Sequence, residues 1–206
     1  MTRSLLFVTG TRADFGKIEP LAIAARDAGY GVGFFVTGMH MLDRYGLTKN
    51  EVHRVEGVRV HEFLNQRAGD PQDIVLAKTV TGFSDYVAEH RPDLVVVHGD
   101  RVEALATALV AATNYIRSAH IEGGEVSGTI DEVFRHCNTK LASHHFVSSE
   151  AAADRVRTLG SRQSVSMSSA RPSWTFTPRP RVSASTRSAR AMTFPSRITA
   201  SASFTP

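Results

Sequence analysis

Short apolar runs alternate with stretches of helical period from Leu5 to Leu159, and this alternation restricts the fold more than any other feature. Leu5–Thr9, Val32–Thr37, Val58–Phe63, Leu94–Val97, Ala119–Glu122 and His145–Ser148 read as strands. Between them Lys17–Ala28, Ile74–Glu89, Val102–Thr113 and Ala151–Leu159 place apolar residues at helical spacing. Gly29 stops the first helix, and His90-Arg91-Pro92 breaks the second. Strand and helix in strict turn predict a parallel sheet with crossover helices, a doubly wound α/β fold. The near-continuous valine of Leu94–Val97 is what a central strand needs when both its faces are covered. Val102–Thr113 is rich in alanine and can pack closely on such a sheet. No internal repeat is visible.

Several function classes drop out early. No apolar run approaches the ~18 residues of a membrane span. Leu5–Val8 is too short for a secretory core and no small-residue cleavage site follows it, so a cytoplasmic protein is expected. Cys137 is the single cysteine, which excludes an internal disulfide and any cysteine-based zinc motif. His120, His136, His144 and His145 lack a paired ligand spacing, and no metal site is expected.

The net charge of +4 conceals two unlike parts. Residues 1–160 carry 17 Lys and Arg against 20 Asp and Glu, whereas residues 161–206 carry seven Arg and no acid. The second part also lacks Leu, Gly, Lys, His and Tyr, and twelve of its residues are Ser. A segment of that composition cannot bury a core, so it reads as a low-complexity, disordered tail behind one domain. Its charge invites a nucleic-acid partner, yet arginine without lysine is what out-of-frame reading of GC-rich DNA produces. Regrouping the codons of SMSSARPSWTF (166–176) by one base is compatible with HVIGSPELDLH, a strand, a turn and a helix start. A frameshift near Gly160 is therefore expected, and no nucleic-acid partner. DNA past codon 150 whose shifted frame closes early would contradict it.

In doubly wound sheets, ligands sit beyond the carboxyl ends of the strands. Three polar clusters fall there: Gly10-Thr11-Arg12-Ala13-Asp14, His98-Gly99-Asp100-Arg101 and Glu122-Gly123-Gly124-Glu125. Thr9–Lys17 is a suitable phosphate cradle, or else an ordinary turn with Arg12 on the surface. Asp100 emerges from a buried strand, where a partly desolvated carboxylate can accept a proton from carbon. It is equally placed to cap the following helix. His98 reads either as a substrate contact or as a strand-end histidine bonded to a loop. Glu122 precedes two glycines that let a ligand approach the backbone. Farther on, Asp131 and Glu132 stand beside Arg135 and His136, and Asp131 with Arg135 has the i, i+4 spacing of an intrahelical ion pair. Clustered carboxylates of this kind move protons on and off a substrate carbon.

Three motifs, VTGTRADFGK, VVVHGDRVEALA and HIEGGEVSGTIDEVFRHCNTKLASHHFVSS, occupy much of residues 1–160. Together they resemble the N-terminal domain of the hydrolysing UDP-N-acetylglucosamine 2-epimerases of sialic-acid biosynthesis. The resemblance implies a Rossmann-like first half of a glycosyltransferase-B type fold, with the active site between two domains. It implies a homodimer, a UDP-sugar substrate and no metal or nicotinamide cofactor. By the same resemblance the reaction is an anti elimination of UDP to a glycal, followed by rehydration with inversion at C2. Asp100, Glu122 and Asp131 match the family's essential acids. Arg12 and Lys17 match its N-terminal loop and would approach the sugar nucleotide or help order the cleft, His98 stands beside the first acid, and Arg135 and His136 match the helix after the acids; these five are the expected substrate-binding residues. The family's second domain has no counterpart in residues 161–206, so the 206-residue polypeptide is expected to be inactive or nearly so. Two other readings stay open: an epimerase of a related sugar nucleotide of the legionaminic-acid type, and a non-catalytic Rossmann-like binding module.

Overall fold

A computed structural model describes residues 2–160 and the backbone of residues 165–167. The expectations placed on the rest of 161–206, disorder and a shifted frame, lie outside the described residues. Seven parallel strands form one sheet in the order β3-β2-β1-β4-β5-β6-β7. They are β1 (Ser4–Thr9), β2 (Gly31–Val36), β3 (Arg59–Glu62), β4 (Leu94–His98), β5 (Arg117–Ile121), β6 (His144–Val147) and β7 (Val165–Met167). The helices are α1 (Arg12–Asp27), α2 (Lys49–Val52), α3 (Gln72–His90), α4 (Val102–Thr113), α5 (Ile130–Leu141) and α6 (Glu150–Thr158). The doubly wound parallel sheet read from the sequence is thus the fold observed. β7 pairs with β6 from Val165 to Met167, beyond Gly160 and inside the stretch assigned to the tail.

The alternation of side chains along each strand builds two cores, one on each face of the sheet. Leu6, Val8, Phe35, Val95 and Val97 point one way and meet Phe83, Tyr86 and Val87 of α3 and Ala104, Val110 and Ala111 of α4. Phe7, Phe34, Val36 and Val96 point the other way and meet Phe15, Ile18 and Ala22 of α1. Phe34 and Phe35, adjacent in sequence, are both fully buried because each face has its own helical cover. Burial of one such ring contributes roughly 2–3 kcal/mol. No helix among the described residues is long and apolar enough to cross a membrane.

The first helix starts earlier than its hydrophobic period suggests. Thr11 caps α1 by accepting from the Asp14 amide at 3.2 Å, while Asp14 accepts from the Thr11 amide at 3.0 Å. This reciprocal capping box makes the part of the Thr9–Lys17 turn from Arg12 onward the start of α1. Asp14 also accepts from the Gly10 amide at 3.1 Å and from the Thr9 hydroxyl. Burial pushes the Asp14 carboxyl up, and these bonds oppose the rise. The turn after β1 is thereby fixed before any ligand arrives. The strand order reverses between β1 and β4, so their carboxyl ends open the crevice in which the site is built.

Candidate active site

Glu122 follows β5 directly and holds a left-handed φ of 60°, uncommon for any residue but glycine and asparagine. Its amide still donates to the Phe146 carbonyl at 2.8 Å, which anchors the bend to β6. Such a backbone costs about 1–3 kcal/mol, and strain of that kind gathers at functional sites. The bend delivers the carboxylate to Lys17 of α1, whose ammonium lies 3.0 Å from Oε1 and 2.8 Å from Oε2. His98 Nε2, at the end of β4, stands 3.2 Å from Oε2 but outside hydrogen-bonding geometry. The nearby His98 ring and the Lys17 ammonium together hold the Glu122 carboxyl down at about 2. Lys17 makes the well-aligned bonds, so its permanent charge is the firmer hold. Strands β4 and β5 and helix α1 thus meet in one cluster.

A second pair lies beside the first. Arg135 of α5 donates to the Asp100 carboxylate, and the Arg135 side chain is almost buried. The intrahelical pairing of Asp131 with Arg135, one of the open readings, is therefore replaced by a contact 35 residues away in sequence. The capping reading of Asp100 also fails, since the residue at the N-cap of α4 is Arg101 and no side chain caps that helix. Asp131 sits in the first turn of α5, and its charge is felt by Arg101. Glu132, its neighbour, accepts from the Ser127 and Gly128 amides at 2.7 Å each. Those amides and His136, whose Nε2 lies 3.6 Å from Oε1, lower the Glu132 carboxyl. His136 accordingly faces its own helix N-terminus.

Arg12 is the outlier of the sequence-derived set. Its side chain is 74% exposed and its Nε pairs with Glu51 at 3.2 Å, so it stands at the rim and not in the cluster. Conversely, Glu103 escaped notice in the sequence. It lies in the first turn of α4, is 1% exposed, and accepts from Arg101 Nε at 3.1 Å. Gly10 and Gly38 close over it: a Cβ on Gly38 would stand 2.6 Å from Oε1 of Glu103 and 2.7 Å from the Gly10 carbonyl. Only the alanine-rich pattern of α4 hinted that a charged residue inside it needed a buried partner. Among the described residues no three His, Cys, Asp or Glu side chains converge as a metal site. The crevice thus offers carboxylates clamped by basic side chains on facing elements, a geometry suited to proton transfer and to binding a polar ligand.

Comparison with known proteins gives this arrangement a context. The model of the UDP-N-acetylglucosamine 2-epimerase family matches residues 24–167. A UDP-N-acetylglucosamine 2-epimerase of Neisseria meningitidis is 43% identical over 162 residues, covering 78% of this chain and 43% of the relative. The UDP-N,N'-diacetylbacillosamine 2-epimerase (hydrolyzing) of Legionella pneumophila is 35% identical, over 79% of this chain and 44% of its own length. The chain therefore spans less than half the length of these relatives. In fold it superposes on the crystal structure of Neisseria meningitidis UDP-GlcNAc 2-epimerase bound to UDP-GlcNAc, with a TM-score of 0.69 at 19% identity over 79% of this chain and 45% of that one. The Methanocaldococcus jannaschii enzyme in complex with UDP-GlcNAc and UDP gives 0.68 at 22% identity, over 78% and 45% of the two chains. With a family model over most of its length and a superposable fold, this chain belongs to the UDP-N-acetylglucosamine 2-epimerase family and has the Rossmann-like fold of the N-terminal half of its glycosyltransferase-B type members.

Proposed function

We propose that residues 1–160 form the N-terminal catalytic half of a hydrolysing epimerase that converts UDP-N-acetylglucosamine and water into N-acetylmannosamine and UDP. The observation that carries this reading is the convergence of the Lys17–Glu122–His98 cluster and the Asp100–Arg135 pair at the carboxyl ends of β1, β4 and β5. In the first step a carboxylate takes the C2 proton, the C–H electron pair becomes the C1=C2 bond, and the C1–O bond breaks to release UDP. In the second step water adds its oxygen to C1, and a proton reaches C2 from the face opposite to the one it left. Glu122, held ionised, accepts hydrogen bonds or protons near neutral pH and is no proton donor there.

Asp100, Glu122 and Asp131 are the reacting carboxylates in this proposal. Lys17 and His98 hold Glu122, Arg135 holds Asp100, His136 steadies the start of α5, and Arg12 approaches the nucleotide from the rim. The hydrolysing form is supported by the hydrolysing Legionella relative and by a GDP/UDP-N,N'-diacetylbacillosamine 2-epimerase (hydrolyzing) of Campylobacter jejuni, 30% identical over 78% of this chain. Those same relatives favour a second reading with the same chemistry on a diacetamido sugar nucleotide.

The test uses a chimera of residues 1–160 with the C-terminal half of the Neisseria relative. Asp100→Asn, Glu122→Gln and Asp131→Asn should each lower kcat by roughly 10²–10⁴ at similar melting temperature. Turnover within threefold of the parent in all three would remove the acids from the mechanism.

A further inference from the structure

The residue that precedes Asp100 is held through both its amide and its carbonyl. Gly99 donates its amide to the Ile121 carbonyl at 2.9 Å, and its own carbonyl accepts from His120 Nε2 at 2.8 Å and from Asn138 Nδ2 at 3.2 Å. Gly99 has φ +67°, although a Cβ there would meet nothing within 4 Å. The glycine is thus demanded by conformation and not by space. Asn138 lies three residues after Arg135 on α5, on the same face of the helix. One helix therefore grips both the Gly99 carbonyl and the Asp100 carboxylate.

The two donors are themselves oriented. Nε2 of His120 faces a carbonyl and must carry the proton, so Nδ1, 3.1 Å from the Thr139 hydroxyl, accepts from it. Burial drives this fully enclosed ring down to about 3, which keeps the tautomer neutral. Asn138 is fully buried, and its Oδ1 has no hydrogen-bond partner among the described residues. A flipped amide would set oxygen against the Gly99 carbonyl, so the observed orientation is the one that bonds. Evidently the amide is spent on this single contact.

From this geometry we infer that His120 and Asn138 are positioning residues for Asp100, acting through the Gly99 peptide to hold its carboxylate at Arg135. The inference rests on the proposed reaction only in taking Asp100 as a reacting acid. Neither side chain reaches the crevice; each works through the backbone of its neighbour. A displacement of the carboxylate by about 1 Å is enough to cost on the order of 10²-fold in turnover, which is the penalty the clamp avoids.

The experiment follows the ¹⁵N-labelled 206-residue chain by NMR through the guanidinium signals of Arg135. A firm pair with Asp100 slows rotation about Cζ–Nε and resolves the Nη protons. His120→Leu and Asn138→Ala should speed that rotation about tenfold, the loss expected for a hydrogen bond of roughly 1.4 kcal/mol. His120→Gln, which keeps a donor at the Nε2 position, should restore the slow rate. Slow rotation in both His120→Leu and Asn138→Ala overturns the inference, as does a leucine variant slower than the glutamine one, because packing alone favours leucine. If those variants do not fold, Thr139→Val removes the hydroxyl that is bonded to His120 Nδ1. Faster rotation there supports the clamp and an unchanged rate contradicts it. Since the signals report no turnover, an inactive chimera refutes the proposed reaction without altering this readout.

Discussion

Lys17 and Glu122 stand 105 residues apart in sequence, and the Lys17 ammonium donates to both oxygens of the Glu122 carboxylate, at 3.0 and 2.8 Å. This contact ties the first helix to the end of β5 across the crevice. It also keeps the carboxylate charged, with His98 contributing from the end of β4.

Lys17→Met should therefore raise the titration of Glu122 from about 2 toward the ordinary glutamate range. Carboxyl ¹³C NMR between pH 2 and 6 measures it directly. A Glu122 titration that stays near 2 in the variant would assign the hold to His98 alone. The depressed carboxyl also stabilises the fold, fully above about pH 4.5 and decreasingly as pH falls toward 2.

Three buried histidines set a different pH window. Burial lowers His40 to about 4, His120 to about 3 and His145 to about 4, from an ordinary 6.5. Each must stay neutral in the fold while the unfolded chain takes up its proton, so stability is complete above pH 6.5 and falls as pH drops toward 4. The loss approaches about 1.4 kcal/mol per pH unit for each histidine. Urea midpoints at pH 7.5 and pH 5 read this loss together with a smaller one of the same sign from His61 and His144, which burial also lowers. Neither ring nitrogen of His145 has a hydrogen-bond partner among the described residues. His145→Leu should thus match or exceed the parent at pH 5 and flatten the slope; a loss of stability there would mean that the ring is bonded.

Two glycines should respond in opposite directions to alanine. Gly38 has φ +64°, and a Cβ would meet Glu103 Oε1 at 2.6 Å and the Gly10 carbonyl at 2.7 Å. Gly38→Ala should cost about 2 kcal/mol or more. Gly16 lies inside α1 with nothing within 4 Å of its Cβ position, so Gly16→Ala should stabilise by about 0.5–1 kcal/mol. Denaturant unfolding of both variants decides; a tolerated Gly38→Ala would show that the Glu103 pocket can relax.

Which parts of the molecule were legible follows from the range of the interactions that make them. Strand and helix positions depend on local period, and β4 and α4 fall close to where Leu94–Val97 and Val102–Thr113 put them. The start of α1 was misplaced because Gly16 and Pro20 weaken its pattern, while the signal that mattered was the Thr11–Asp14 capping box. Side-chain partners were harder. Asp131 and Arg135 have ideal helical spacing, yet Asp100 is the carboxylate Arg135 reaches once β4 and α5 are packed together. The roles of His120 and Asn138 depend wholly on such packing, and nothing local in the sequence signals them; for Glu103 the alanine-rich pattern around it is the one local hint. Arg12 reads as a ligand contact only by its motif, and its guanidinium turns to Glu51.

The most direct measurement follows UDP-N-acetylglucosamine by NMR in D₂O, with residues 1–160 joined to the C-terminal half of the Neisseria relative. Free UDP and N-acetylmannosamine carrying one deuterium at C2 are the expected products, both abolished by Glu122→Gln. Formation of UDP-N-acetylmannosamine with the nucleotide still attached, or a product that keeps its original C2 hydrogen, would contradict it.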